Sequence, residues 1–129
     1  MKKEKFKEIR IYNRTPEKIK QISTEDTIKI ISLNEIEKAI SETDIIVNTI
    51  PTNILNDLNL NKSKKKIFAC DIVYNPKETG FLSHFKEEKR IYGIEMLVYQ
   101  AAPCFEEWFG VKPLIDKNLF NFLDQIKKQ

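Results

Sequence analysis

The residues best suited to chemistry lie at Asn13-Arg14-Thr15-Pro16-Glu17-Lys18, directly behind the alternating stretch Glu8-Ile9-Arg10-Ile11-Tyr12. They supply a planar cation, a point charge, a hydroxyl and an amide. Arginine grips phosphate through a two-pronged, charge-assisted contact, and the backbone N–H groups of a helix start add donors for an anion. Just past the second strand of a dinucleotide fold, such an arginine clamps a ribose 2′-phosphate, where an acidic residue would favour the unphosphorylated cofactor. An arginine after a strand is by itself usually a solvated turn residue. The asparagine, threonine and lysine in register with it favour the anion-binding reading. A second segment, Gly93 to Ala102, opens a helix with a residue that has no side chain, so a flat ring could approach the backbone there. Tyr74 and Gln100 offer neutral donors and acceptors.

Other chemistries find little support. His84 is the single histidine, on a polar helix face beside Lys86 and Glu87, and no cysteine stands at ligand spacing to it, so no metal site is expected. Cys70 within an apolar strand and Cys104 within a helix both read as small, buried, reduced side chains rather than a disulfide. With 22 basic and 19 acidic residues the net charge is only +3, which does not imply nucleic-acid binding. The basic run Lys62-Ser63-Lys64-Lys65-Lys66 has no interleaved aromatic and reads as a solvated loop. The charged start Met1-Lys2-Lys3-Glu4-Lys5 has no apolar core behind it, and no run approaches the roughly 20 apolar residues that span a bilayer. A cytoplasmic protein without membrane partners is expected.

The elements that must position these groups alternate in type. Residues 8–12 form a strand, and Thr15, Pro16 and Glu17 start a helix that presents Ile19 and Ile22 on one face. A strand over 27–32 leads to Asn34 as cap of a helix carrying Ile36, Ala39 and Ile40. Asp44 to Thr49 and Lys66 to Val73 are apolar on both alternations, the pattern of strands buried on both faces. A helix is expected over 79–89, a short strand over 90–93, and two terminal helices. Phe105 and Trp108 read as core residues of the first. Ile115, Leu119, Phe122, Leu123 and Ile126 form one apolar stripe on the last. At 129 residues, without internal repeats or a low-complexity linker, the chain makes one α/β domain over 1–129 with a parallel sheet. Sites in such sheets lie at the carboxyl ends of strands, where Asn13 to Thr15, Asn48 to Pro51 and Asp71 to Tyr74 fall.

These motifs resemble the cofactor half of the shikimate dehydrogenases, a family of NADP-linked oxidoreductases. The resemblance runs from about Ile9 to the C-terminus. It is carried by Asn13-Arg14-Thr15-x-x-Lys18, by Asp71-Ile72-Val73-Tyr74-Asn75-Pro76-x-x-Thr79, and by Gly93-x-x-Met96-Leu97-x-x-Gln100-Ala101-Ala102-x-x-Phe105-x-x-Trp108. Glutamyl-tRNA reductase carries a stretch similar to the first. The resemblance implies that Asn13 to Lys18 hold the adenosine 2′-phosphate of NADP and that Asn48 also serves the cofactor. It further implies that the backbone at Ile72 and Gly93 flanks the nicotinamide, that Met96 and Leu97 line its pocket, and that Tyr74 and Gln100 reach shikimate or 3-dehydroshikimate. One stretch departs from the family pattern Asn-Ala-Thr-Pro-x-Gly-Met, reading Asn48-Thr49-Ile50-Pro51-Thr52-Asn53-Ile54.

The glycines are Gly80, Gly93 and Gly110, so the family's Gly-rich phosphate loop and the strand before it are not matched. Nor is the family's separate catalytic domain, which supplies the lysine and aspartate that handle the proton. Met1 to Phe6 resembles the tail of the helix that follows the phosphate loop. The expected fold is therefore an incomplete Rossmann-like doubly wound sheet lacking its first strand, with a gap at the sheet centre. The expected function is the cofactor part of shikimate dehydrogenase in aromatic amino acid biosynthesis, inactive alone and without catalytic residues of its own. It would be completed by a separately encoded N-terminal piece or by a second copy. Two alternatives stand beside it, a non-catalytic nucleotide- or partner-binding domain and a quinate/shikimate dehydrogenase relative. An exposed apolar patch is expected on the terminal helices.

Overall fold

The computed structural model describes residues 6–13, 15, 17, 19, 28–32, 35–50 and 67–126. Five short strands fall where alternation and β-branched runs predict them. β1 (Ile9–Tyr12) pairs in parallel with β2 (Ile28–Ile31), from Ile9 opposite Ile28 to Tyr12 opposite Ile31. β3 (Ile45–Asn48), β4 (Phe68–Asp71) and β5 (Arg90–Ile91) form a second parallel sheet in the order β3-β4-β5, with Ile45 opposite Phe68 and Ala69 opposite Arg90. Parallel neighbours need crossover connections, which is why strands alternate with helical segments along the chain.

The division into two sheets falls between β1 and β3. In a doubly wound order of 3-2-1-4-5-6 that is the central position, so the architecture is a Rossmann-like sheet open at its middle among the described residues. The two parts still meet, because Arg10 donates from Nη1 to Glu42 Oε2 at 3.0 Å and Tyr12 packs on the same apolar cluster as Ile46.

That cluster lies on one face of β3 and β4. α1 (Ile36–Ile40) buries Ile36, Ala39 and Ile40, and α2 (Gly80–Ser83) buries Phe81 and Leu82, against Ile67, Ala69 and Phe85. Phe81 and Phe85 meet edge to face at 5.2 Å. Each large side chain so buried contributes about 1.5–3 kcal/mol. The other face differs from the expectation of strands covered on both sides, since Ile45 and Val47 are 51% and 53% exposed and Phe68 is exposed beside them. An apolar strand is buried only where something packs on it, and α1 and α2 cover the Ile46 and Ala69 side.

The helix expected over 79–89 is broken. α2 ends at Ser83, Lys86 is extended at ψ 140, and a 3-10 turn covers Glu87–Lys89. A local side-chain contact accompanies the break: the Phe85 carbonyl accepts from Arg90 Nε at 2.9 Å and Nη2 at 2.8 Å, which competes with helical bonding just where Phe85 turns into the core. β5 is shorter than the expected 90–93, because Glu95 accepts the Tyr92 N–H at 2.9 Å and starts the next helix there. At the head of α1 the N-cap position falls to Glu35 without a side-chain bond, while Asn34 lies outside the described residues.

α3 (Gly93–Phe109) carries Pro103 and stops on Gly110, whose φ of 67 is the left-handed conformation glycine allows. α4 (Lys117–Ile126) begins where Asp116 Oδ1 accepts the Leu119 N–H at 3.0 Å. Phe105 and Trp108 are exposed rather than core, and Cys104 is exposed while Cys70 is buried. The expected stripe on α4 is also modified. Leu119 and Leu123 are half-buried, Phe122 is exposed, and Phe120 is the ring that meets Tyr99 of α3 at 6.3 Å. These two helices leave apolar area open, in keeping with the expected patch: Tyr99, Trp108, Phe109, Leu114 and Phe122 are all exposed. No described helix is long and apolar enough to cross a membrane.

Candidate functional site

At the carboxyl end of β1, Asn13 Oδ1 accepts the Thr15 N–H at 2.8 Å, a side-chain turn that swings the chain toward the helical backbone at Glu17 and Ile19. Asn13, Thr15 and Glu17 are exposed. Arg14, Pro16 and Lys18 lie outside the described residues.

The ends of β3 and β4 are tied together by a buried polar network. Asp71, the last residue of β4, is 1% exposed and uses both carboxylate oxygens. Oδ1 accepts Asn48 Nδ2 at 3.1 Å and the Val73 N–H at 3.0 Å, and Oδ2 accepts the Thr79 hydroxyl at 2.7 Å. Thr79 Oγ1 in turn accepts the Leu82 N–H at 3.2 Å and so caps α2. Asn48 also donates to the Ile50 carbonyl at 3.3 Å and accepts the Ile50 N–H at 3.0 Å. Its amide is thus committed to shaping the strand end. A buried carboxylate with this many donors is satisfied and rigid.

Gly93 meets this end of the sheet from the other side. A Cβ on it would lie 2.6 Å from the Val73 carbonyl oxygen and 2.7 Å from that of Ile72. The first turn of α3 can therefore seat against β4 only because residue 93 has no side chain. This is a packing reason beyond the ring approach expected from sequence. Met96, half-buried, and Leu97, exposed, follow on α3, with Gln100 exposed further on. Tyr74 is exposed on the segment leaving β4. The structure brings Asn48, Ile72 and Gly93 together at the strand ends, with Met96 one turn into the helix.

A second network braces the same segment. Glu78 takes Arg90 Nη1 at 3.0 Å on one oxygen and the Tyr92 hydroxyl at 2.6 Å on the other, and Lys77 pairs with Asp124 of α4 at 2.6 Å. The bond to Glu78 pushes the Tyr92 phenol up, and burial does the same to the Cys70 thiol, with the neighbouring Asp71 charge adding to it. Asp71, Thr79 and Glu78 were assigned no role from sequence. The available signal was an acid closing a buried strand with a threonine just ahead of Gly80-Phe81-Leu82. Among the described residues no group of three or more histidine, cysteine or acidic side chains could hold a metal ion.

Comparison with known proteins fits this geometry. A family model described as shikimate / quinate 5-dehydrogenase matches residues 1–94, and one described as the shikimate 5′-dehydrogenase C-terminal domain matches residues 93–117. The chain belongs to the shikimate / quinate dehydrogenase family. Among its curated relatives, the shikimate dehydrogenase (NADP(+)) of Geobacillus sp. (strain WCH70) is 33% identical over 132 residues, covering 94% of this chain and 48% of the relative. That of Dictyoglomus turgidum is 40% identical over 115 residues, covering 81% and 42%. This family member thus spans just under half the length of those relatives. Its fold matches quinate dehydrogenase from Corynebacterium glutamicum, solved in complex with NAD, at a TM-score of 0.71 and 18% identity, over 92% of this chain and 46% of that one.

Proposed function

We propose that these 129 residues are the cofactor-holding part of an NADP-linked shikimate dehydrogenase, which interconverts 3-dehydroshikimate and shikimate. The observation that carries this reading is the Gly93 junction. There a helix N-terminus is pressed onto the peptide groups of Ile72 and Val73 just past the carboxyl end of a parallel strand, where such sheets bind their ligands, in a contact too close for any Cβ. The donor set fits a dinucleotide. The segment Asn13-Arg14-Thr15-Pro16-Glu17-Lys18 holds the 2′-phosphate, with Arg14 and Lys18 supplying the positive charge. Asn48 orders the strand end behind the cofactor. Ile72 and Gly93 border the nicotinamide with peptide groups, Met96 and Leu97 line its pocket, and Tyr74 and Gln100 hydrogen-bond the hydroxyls of the substrate.

NADPH, when bound, supplies the hydride. The family's proton-handling lysine and aspartate have no counterparts among the matched motifs, so the 129-residue chain alone is not expected to turn over. Nucleotide titration tests the reading. Charge-assisted bonds to the 2′-phosphate of roughly 1.5–3 kcal/mol predict a preference for NADPH over NADH of about 10- to 150-fold, most of it lost in Arg14→Ala. Equal binding of the two nucleotides by the unaltered chain would overturn it. The exposed aromatic surface of α3 and α4 favours a second reading, a partner-binding domain without catalysis. Shikimate-dependent NADP reduction on adding the N-terminal half of a relative would exclude that alternative.

A further inference from the structure

We propose that Asp71 is a positioning residue, the clasp that sets the loop carrying Tyr74 against the start of α3. The inference rests on the reading of Tyr74 and Gly93 as groups at the substrate and nicotinamide. Its structural basis is the division of labour between the two carboxylate oxygens. Oδ1 holds the N–H of Val73, immediately before Tyr74, and Oδ2 holds the hydroxyl of Thr79 at the far end of the loop. One side chain therefore closes the segment from Val73 to Thr79 at both ends. Asn48 of the neighbouring strand fixes the carboxylate itself through Oδ1.

The consequences reach the Gly93 junction directly. The carbonyls of Ile72 and Val73, which Gly93 approaches, belong to the same turn that Oδ1 ties down. The Glu78 bonds to Arg90 and Tyr92 brace the loop near its end, so Tyr74 to Pro76 project between two anchored points. Asp71 is buried and stands behind the turn it orders, so it acts through that turn. An ordinary core carboxylate would stabilise the fold as a whole. A clasp governs the loop and what the loop recognises, and leaves the adenosine end alone.

The test uses Thr79→Val, which removes the far anchor together with the N-cap of α2, Thr79→Ser, which keeps the hydroxyl for both, and Asp71→Asn, which leaves the cap in place, all in the 129-residue chain. Amide exchange is followed at Val73, Tyr74, Asn75, Lys77 and Glu78 and, as an internal control, at Ala69 and Cys70 of β4. Binding of NADPH is compared with that of 2′-phospho-ADP-ribose, which lacks the nicotinamide. Losing a charge-assisted bond should speed loop exchange about 10-fold in Thr79→Val while β4 is unchanged, with Thr79→Ser close to the parent. The advantage of NADPH over 2′-phospho-ADP-ribose should fall about 3- to 10-fold, with 2′-phospho-ADP-ribose itself unaffected. Unchanged loop exchange in both Thr79→Val and Asp71→Asn would overturn the clasp. Equal weakening of both nucleotides, or no nicotinamide advantage in the parent, would overturn the positioning role alone. A parent chain that binds neither nucleotide would sink the function reading and the positioning role with it, while the exchange data would still decide whether the loop is clasped.

Discussion

Gly93 is constrained by what lies next to it rather than by its own backbone angles, since a Cβ there would meet two peptide carbonyls that are locked by β4 and by Asp71. Backbone cannot swing aside as a flexible side chain can, so Gly93→Ala should cost about 1–3 kcal/mol in urea unfolding. Loss within 0.3 kcal/mol of zero would mean that the junction is looser than its distances. The two cysteines should separate cleanly. Cys104 is exposed and Cys70 is buried with its thiol pushed up, so iodoacetamide should alkylate Cys104 first and reach Cys70 only under denaturant. The same shifts have a sign in stability. Burial raises Cys70 and Tyr12, and the Glu78 bond raises Tyr92, so the folded chain keeps protons that the unfolded chain releases. Their contribution is complete below the ordinary thiol range and is lost as pH rises through the folded values, so unfolding midpoints should fall steadily from about pH 8.5 upward. At this scale the sequence drew the eye to Gly93 and Asn48 through their place in a motif. Asp71 passed unassigned because its meaning depends on three donors that converge only after folding.

Between elements, the contacts holding α4 differ in kind. Phe120 packs its ring on Tyr99 of α3, whereas Asp124 pairs with Lys77 where both side chains are more than a third exposed. Solvent screens the ion pair, so Asp124→Asn should change stability by less than about 0.5 kcal/mol, and less still in high salt. Phe120→Ala should instead detach the helix, raising proteolysis and amide exchange across 117–126 while the β4 amides stay protected. The reverse ranking would show that charge, not ring packing, docks α4. Strands were the most legible elements, because β-branched alternation in Ile9–Tyr12 and Ile28–Ile31 and the doubly apolar runs at Ile45–Asn48 and Phe68–Asp71 are local signals. Helix continuity over 79–89 was not, since the break accompanies Arg90 capturing the Phe85 carbonyl. The apolar periodicity of Phe105 and Trp108 marks a helix face and not the core expected of it, because periodicity records what a helix can bury and says nothing of whether a partner is present.

For the whole molecule, that distinction governs behaviour in solution. β1 and β3 present edges without a neighbour between them among the described residues, Ile45, Val47 and Phe68 leave apolar area exposed on one side of the sheet, and the α3–α4 side adds Tyr99, Phe109, Leu114 and Phe122. Single exposed apolar residues are ordinary in folded proteins, but contiguous surfaces of this kind mark interaction sites or association hazards. Trp108 reports on the second surface directly, as the single tryptophan of the chain and 77% exposed. In dilute solution its emission should resemble that of free tryptophan and be readily quenched by acrylamide. With rising concentration it should shift to the blue and become protected as the α3–α4 faces meet one another. Leu114 is 80% exposed and Phe122 is exposed on the adjoining helix, so Leu114→Glu with Phe122→Glu removes apolar surface at little expense to the core. The double variant should unfold within about 0.5 kcal/mol of the parent while its Trp108 emission no longer depends on concentration. If light scattering still shows association while Trp108 emission stays independent of concentration, association runs through the sheet face instead, and Val47→Lys on the exposed side of β3 becomes the change that should abolish it.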